Sequence, residues 1–211
     1  MLTVAALTLS PIAAGFGLGI ALASAPGPVQ AIILTESVRG GIPRGARAQA
    51  GANLTFTALL VCLACGLSIA TPGDFAFRAL KVTGGALLLW LAIDTLRSPP
   101  VQSGAPAGRP ALPPEARGTL AVLLNPGAWL FLATAASSLL SAAARTSGTP
   151  GALIAALALS IGLAIGDGAV VLFGGLGIRH FGSGAALWIQ RVLAAILAAL
   201  GIWLIASGLI P

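Results

Sequence analysis

Charge is what this chain has least of. Only 8% of its 211 residues are Asp, Glu, Lys or Arg, 57% are hydrophobic, and mean hydropathy is +1.01. A soluble domain carries roughly a quarter charged residues and could not solvate a surface so poor in them. Acids are scarcest, five against 11 Lys+Arg, and there is no Tyr, one His and two Cys. A single histidine, His180, excludes the two-His metalloprotease pattern. Lys81 is followed by Val82-Thr83 without a glycine loop, which excludes a Walker A nucleotide site. Cys62 and Cys65 lie in an apolar run without a neighbouring His or acid, so they read as packing residues and no disulfide framework exists. No metal, cofactor or enzymatic role is expected. Met1 to Ser10 has no basic region, so the first hydrophobic segment is expected to be retained rather than cleaved.

What is present is a series of apolar runs. They predict membrane spans near 12–35, 48–70, 79–97, 119–142, 151–177 and 187–209, each close to the roughly 20 residues that cross a bilayer. Glu36 to Gly45 reads as too polar and broken to span. Ser98 to Gly118 carries six prolines and reads as a polyproline-leaning loop without a core. The expected fold is therefore an all-α integral membrane protein of six transmembrane helices, one polytopic domain over 1–211. Its halves are repeat 1 (about 1–97) and repeat 2 (about 119–211), joined by the loop 98–118.

The net charge of +6 comes from cations scattered singly in short connections, which argues against nucleic acid as a partner. Connections after spans 1, 3 and 5, with the mouth of span 6, hold Arg39, Arg44, Arg47, Arg97, Arg109, Arg117, Arg179 and Arg191. The others hold Arg78, Lys81 and Arg145. Eight against three places the first set in the cytoplasm and both termini outside.

The halves resemble one another. Ala21 to Gly27 matches Ala121 to Gly127 around Pro26-Gly27 and Pro126-Gly127, an offset of 100, and Lys81-Val82 echoes Arg191-Val192. Three spans is an odd number, so a duplicated half must enter the membrane upside down, the inverted-repeat plan of many secondary transporters. Pro26 and Pro28 lack N–H groups, stripping bonds from the carbonyls of Leu22 and Ser24, and each proline pushes its predecessor off helical geometry. Spans 1 and 4 are thus expected to be broken, at Pro26-Gly27-Pro28 and at Asn125-Pro126-Gly127. A half-helix N-terminus at such a break suits an anionic substrate group, although a kink serving only packing is the bland alternative.

Asp167 reads as the only acid deep in a span, where a charge is costly and usually marks a substrate or proton path. It is the proton-coupling candidate, with Arg191 or Asn53 as possible partner; a purely structural hydrogen bond is the alternative. Asp94, three residues before Arg97, reads as half of an interfacial pair. Gln49 and Asn53 share a helix face and either line a cavity or join helices. Gly15-x-x-x-Gly19 and Gly162-x-x-x-Gly166 allow close helix approach. The tryptophans read as packing or interfacial anchors.

These residues resemble the LysE/RhtB family of amino-acid exporters. The resemblance is carried by Pro26-Gly27-Pro28, by Arg39-Gly40-Gly41 with Gly45 to Gly51, by Leu80 to Ala86, and by Asn125-Pro126-Gly127-Ala128. The last is similar to the family's Asn-Pro-Lys-Ala segment, with Gly127 where Lys is common. The resemblance implies a secondary active exporter, an antiporter of the cell inner membrane driven by the proton-motive force, acting on amino acids or similar small metabolites. It implies a homo-oligomer, a dimer, with the bilayer and protons as its other partners. It also carries roles onto Pro26, Gly27, Pro28, Asn125, Pro126 and Asp167. Two rivals remain at this stage. A related six-span metal-ion exporter would need ligands converging at the midplane. An intramembrane aspartyl protease would need Asp94 and Asp167 to form a dyad.

Overall fold

The computed structural model describes residues 2–66, 73–97, 112–180 and 183–209, and the side chains of 11–66, 73–97, 112–176 and 187–209. Among the described residues every regular element is helical. We number the elements α1 (Leu2–Ser24), α2 (28–39), α3 (42–64), α4 (Asp74–Arg97), α5 (Pro114–Leu123), α6 (126–146), α7 (149–180) and α8 (Ser183–Leu209). By length and hydropathy, Asp74–Arg97, Pro126–Leu176 and Leu187–Leu209 can cross a membrane, as can the interrupted pair Pro11–Ser24 and Pro28–Ala64. The 51-residue stretch Pro126–Leu176 is far too long for one crossing, since at 1.5 Å per residue it would run about 75 Å through a core of about 30 Å. It breaks at Ser147–Gly148, and Pro28–Ala64 breaks at Gly40–Gly41. Counting α1 with α2 as one broken span and dividing the two long stretches at their turns roughly matches the six expected helices.

Two of the breaks are the same turn. Gly40 and Gly41 adopt φ/ψ of −148/21° and 70/−170°, and Ser147 and Gly148 adopt −138/18° and 63/−165°. The second position needs positive φ, which glycine alone takes without steric cost. Pro43 and Pro150 then stand in the first turn of the next helix, where the missing N–H costs nothing. This Gly-x-Pro device repeats across the halves, and the sequence reading did not use it.

Two expectations need correction. Glu36 to Arg39 is not loop but the end of α2, with only Gly40–Gly41 leaving the helix, because the charged side chains there are paired and buried. The end of the proline-rich segment is not loop either. Pro114 opens α5, where its fixed φ is preorganised for helix, and Arg117 and Gly118 are buried. Residues 98–111 of that segment lie outside the described residues.

The chain forms two compact units, each drawing on both halves of the sequence. The first contains α1, α3 from Asn53 onward, and Gly127–Asp167. Here Gly15 and Gly19 face α7. A methyl group at Gly19 would lie 2.1 Å from the Leu159 carbonyl oxygen, and one at Gly162 would lie 2.2 Å from that of Phe16. The two glycine pairs seen in the sequence therefore serve one interface, and the contacts advance together along both helices, so α1 and α7 run parallel. Phe56 and Phe131, with ring centroids 5.9 Å apart, join α3 to α6. α6 also contains a π-turn at Leu132–Ala136, where the Ser137 hydroxyl donates to the Leu132 carbonyl at 2.6 Å.

The second unit contains α2, α3 up to Ala52, α4, α5, the end of α7 and α8. α4 and α8 pack through Gly85 against Gly201 and Gly208 against Arg78, so they run antiparallel, as the third helices of two inverted repeats must. Lys81 of α4 donates to the Ser207 carbonyl at 3.2 Å, satisfying an acceptor that the end of α8 leaves open. Ile32, Leu88, Leu91, Ala121, Leu197 and Leu204 form the core.

Candidate transport site

The broken spans end alike. At the first, the Ala25 amide donates to the Leu22 carbonyl at 3.2 Å; at the second, Asn125 donates to Val122 at 3.2 Å. Each helix closes with a tight i→i−3 bond just before the proline that cannot continue it. The next helix restarts at once: the Ala31 amide donates to the Gly27 carbonyl at 3.0 Å. In the second unit Pro28 and Leu124, which flank the two breaks, line one small cleft with Gly84, Leu88, Ala121 and Leu204, whereas Pro26, Gly27, Asn125, Pro126 and Gly127 do not line it. Glycine at 84 permits this, since a methyl group there would lie 2.1 Å from the Leu124 carbonyl oxygen. Pro26 and Gly127 are exposed, Gly27, Pro28 and Asn125 half-buried, and Pro126 buried.

Asn53 and Asp167 belong to the first unit. Asp167 is fully buried in α7. The Asn53 side-chain nitrogen and oxygen are both buried and make no hydrogen bond, a costly state for an amide unless a ligand or water meets it. Arg191 is exposed on α8, as are Cys62 on α3 and Cys65 just beyond its end. His180 lies where no side chain is described. Among the described residues no group of three His, Cys, Asp or Glu side chains could hold a metal.

The densest chemistry is one that sequence reasoning missed. Asp94 does not pair with Arg97, which is exposed. It accepts from Arg39 Nη1 at 2.8 Å and Arg117 Nη2 at 2.7 Å. Glu36, 1% exposed, accepts from Arg117 Nη1 at 3.1 Å and Arg44 Nε at 2.5 Å, with Arg39 Nη1 3.5 Å away. Arg117 is completely buried; its Nε donates to the Leu112 carbonyl at 3.1 Å and its guanidinium stacks 5.4 Å from the Trp90 ring. Burial makes such pairs obligatory, because an isolated charge in this setting would cost several kcal/mol. Three guanidiniums against two carboxylates leave one positive charge in excess, and Arg44 Nη2 is buried with no acceptor. Asp167 is therefore not the only deeply buried acid, and Asp94, which a two-aspartate dyad would require, is held by arginines. Three of the eight arginines counted for orientation are likewise engaged here; the remaining five still outnumber the opposing three.

At the edge of this region Arg47 and Glu115 form an exposed pair, Nε to Oε1 at 2.5 Å and Nη2 to Oε2 at 3.1 Å. The Arg47 hydrogen bonds hold the Glu115 carboxyl below its ordinary pKa.

The family model described as LysE type translocator matches residues 20–208, nearly the whole chain. The chain belongs to the LysE type translocator family. No curated protein and no solved structure matches it. Membership makes this translocator a multi-pass membrane protein that moves small molecules outward, a transporter rather than an enzyme. The match begins within α1 and ends within α8, so it includes both breaks, both Gly-x-Pro turns and the whole charge cluster.

Proposed function

We propose that this translocator exports amino acids or closely similar metabolites across the cytoplasmic membrane by proton antiport, as a homo-oligomer with both termini outside. Pro26, Gly27, Pro28, Asn125, Pro126 and Gly127 form the substrate-binding breaks, Asn53 is a further substrate contact, and Asp167 carries the coupling proton. The approach of Pro28 and Leu124, residues that flank the two breaks, within one small cleft supports this reading. Broken helices expose carbonyls and amide donors that lipid cannot satisfy, and such groups persist where a solute replaces the missing partners. A buried carboxyl that can hold or release a proton suits Asp167 to coupling.

The test is efflux from preloaded proteoliposomes across a panel of amino acids and metal ions, with and without an uncoupler. Uncoupler-sensitive efflux of an amino acid is the expected result, and Asp167→Asn, which cannot titrate, should lose uphill efflux while keeping downhill exchange. Full proton-driven efflux by a well-expressed Asp167→Asn protein would remove that residue from the mechanism. Transport of metals alone would remove the amino-acid reading.

A further inference from the structure

α2 and α5 differ from the other helices in being short and interrupted at both ends. α2 lies between the Pro26–Pro28 break and the Gly40–Gly41 turn, and α5 between Pro113 and the break at Leu124–Asn125. Both run between the cleft and the charge cluster. Glu36 stands eight residues beyond Pro28 and Arg117 seven before Leu124, about 12 Å and 10 Å along their helices. Between cleft and cluster lies a packing gap too narrow for water, lined by Ile32, Thr35, Glu36, Leu91, Thr95 and Arg117.

We propose that the cluster of Glu36, Arg39, Arg44, Asp94 and Arg117 is a gate, closed by its internal ion pairs and opened by a solute carboxylate that takes over a guanidinium from Glu36 or Asp94. The proposal rests on the transport function above and narrows its substrates to carboxylate-bearing solutes. For static packing, a buried ion network is no better than apolar side chains of the same volume. It becomes useful when the element must open, because water restores to the separated charges the solvation lost on closing. Two states of one junction can then lie close in free energy. Arg117 is the natural latch, since from α5 it holds α2 through Glu36 and α4 through Asp94. The excess positive charge gives the gate its selectivity. A carboxylate finds Arg44 Nη2 already without an acceptor, whereas a metal cation or amine meets net repulsion.

The test reads access to this gap without substrate or proton gradient, so it stands whether or not any amino acid is exported. Exposed Cys62 and Cys65 are replaced by Ser, and Thr95→Cys is introduced, Thr95 being 1% exposed. In the full-length purified protein this thiol should resist N-ethylmaleimide. Glu36→Gln, or Asp94→Asn should the first not yield monodisperse protein, should raise its labelling rate about tenfold, the effect of shifting the closed state by about 1.4 kcal/mol. In the protein with its gate intact, sodium propionate should accelerate labelling beyond sodium chloride at equal ionic strength. Protection retained in both folded variants, or equal rates in the two salts, overturns the proposal.

Discussion

The turns at Gly40–Gly41 and Ser147–Gly148 have the same backbone and opposite surroundings. Positions 41 and 148 are 107 apart, and at that offset Glu36 corresponds to Ala143, Arg39 to Thr146 and Arg44 to Gly151. Glu36 lies in a network of five charges; Ala143 is buried at 1% with none. The two turns thus share one backbone device, a glycine at positive φ followed by a helix-starting proline, while the side chains around it differ. Buried, paired charge is concentrated at one turn, whereas the other has only the exposed Arg145 beside it, so the two turns are chemically unequal. A transporter that must open to one side at a time needs such an inequality.

The largest effect should come from removing the latch. Arg117→Met removes the fully buried cation that bonds both Glu36 and Asp94 and leaves Arg44 and Arg39 as their remaining partners, a loss of about 1.5–3 kcal/mol per charged hydrogen bond and enough to lower accumulation in the membrane sharply. Ala143→Val, at the corresponding turn that lacks a buried charge cluster, should accumulate well; immunoblotting of membranes compares them. If Arg117→Met accumulates like wild type, the inequality of the two turns has no energetic content. Next comes the pair of breaks. Pro26→Ala with Pro28→Ala restores amide donors and a continuous helix, and should cut efflux more than tenfold with insertion intact. Pro126→Ala, restoring one donor, should cut it less, and equal transport by both would make the breaks mere kinks.

Smaller, and equal on both sides, should be the turns themselves. Gly41→Ala and Gly148→Ala each force a side chain to positive φ at about 1–2 kcal/mol, so thermal unfolding should shift similarly for both. Unequal shifts would show that the shared geometry conceals different strain. The smallest effect belongs to the exposed pair. The Glu115 carboxyl lies below its ordinary value, so its contribution is present above the unfolded pKa of about 4.3 and is lost as pH falls through the lowered native value. Glu115→Gln should remove that contribution, lowering neutral-pH melting slightly and flattening the acid limb, with a small effect because both partners are exposed.

What the sequence made legible follows from which interactions are local. Proline and glycine act on the backbone where they stand, so the breaks at Pro26 and Pro126 and the close approach at Gly15, Gly19, Gly162 and Gly166 could be read directly. The charge cluster could not. Glu36 meets Arg117 81 residues away, and Arg39 meets Asp94 55 residues away, distances over which no periodicity speaks. Local reasoning paired Asp94 with Arg97 because they are three apart, and dismissed Glu36 to Gly45 as loop because it is polar. One signal was available. Glu36, Arg39 and Arg44 crowd nine residues in a chain with 8% charge, a concentration that the membrane tolerates only when the charges are paired.

The π-turn at Leu132–Ala136 has a consequence for how this chain tolerates change. A wide turn holds one residue more than a regular one, so the helix beyond it is rotated by about 100° from where an unbroken α-helix would place it. Leu140 and Ala143 point inward because the wide turn absorbs that extra residue. Deleting a single residue from this segment would leave hydropathy, length and hydrogen bonding almost unaltered. Because the wide turn accommodates that residue, the segment would close to a regular α-turn and Leu140 and Ala143 would keep facing inward, so this is the one place where α6 can lose a residue without losing its register.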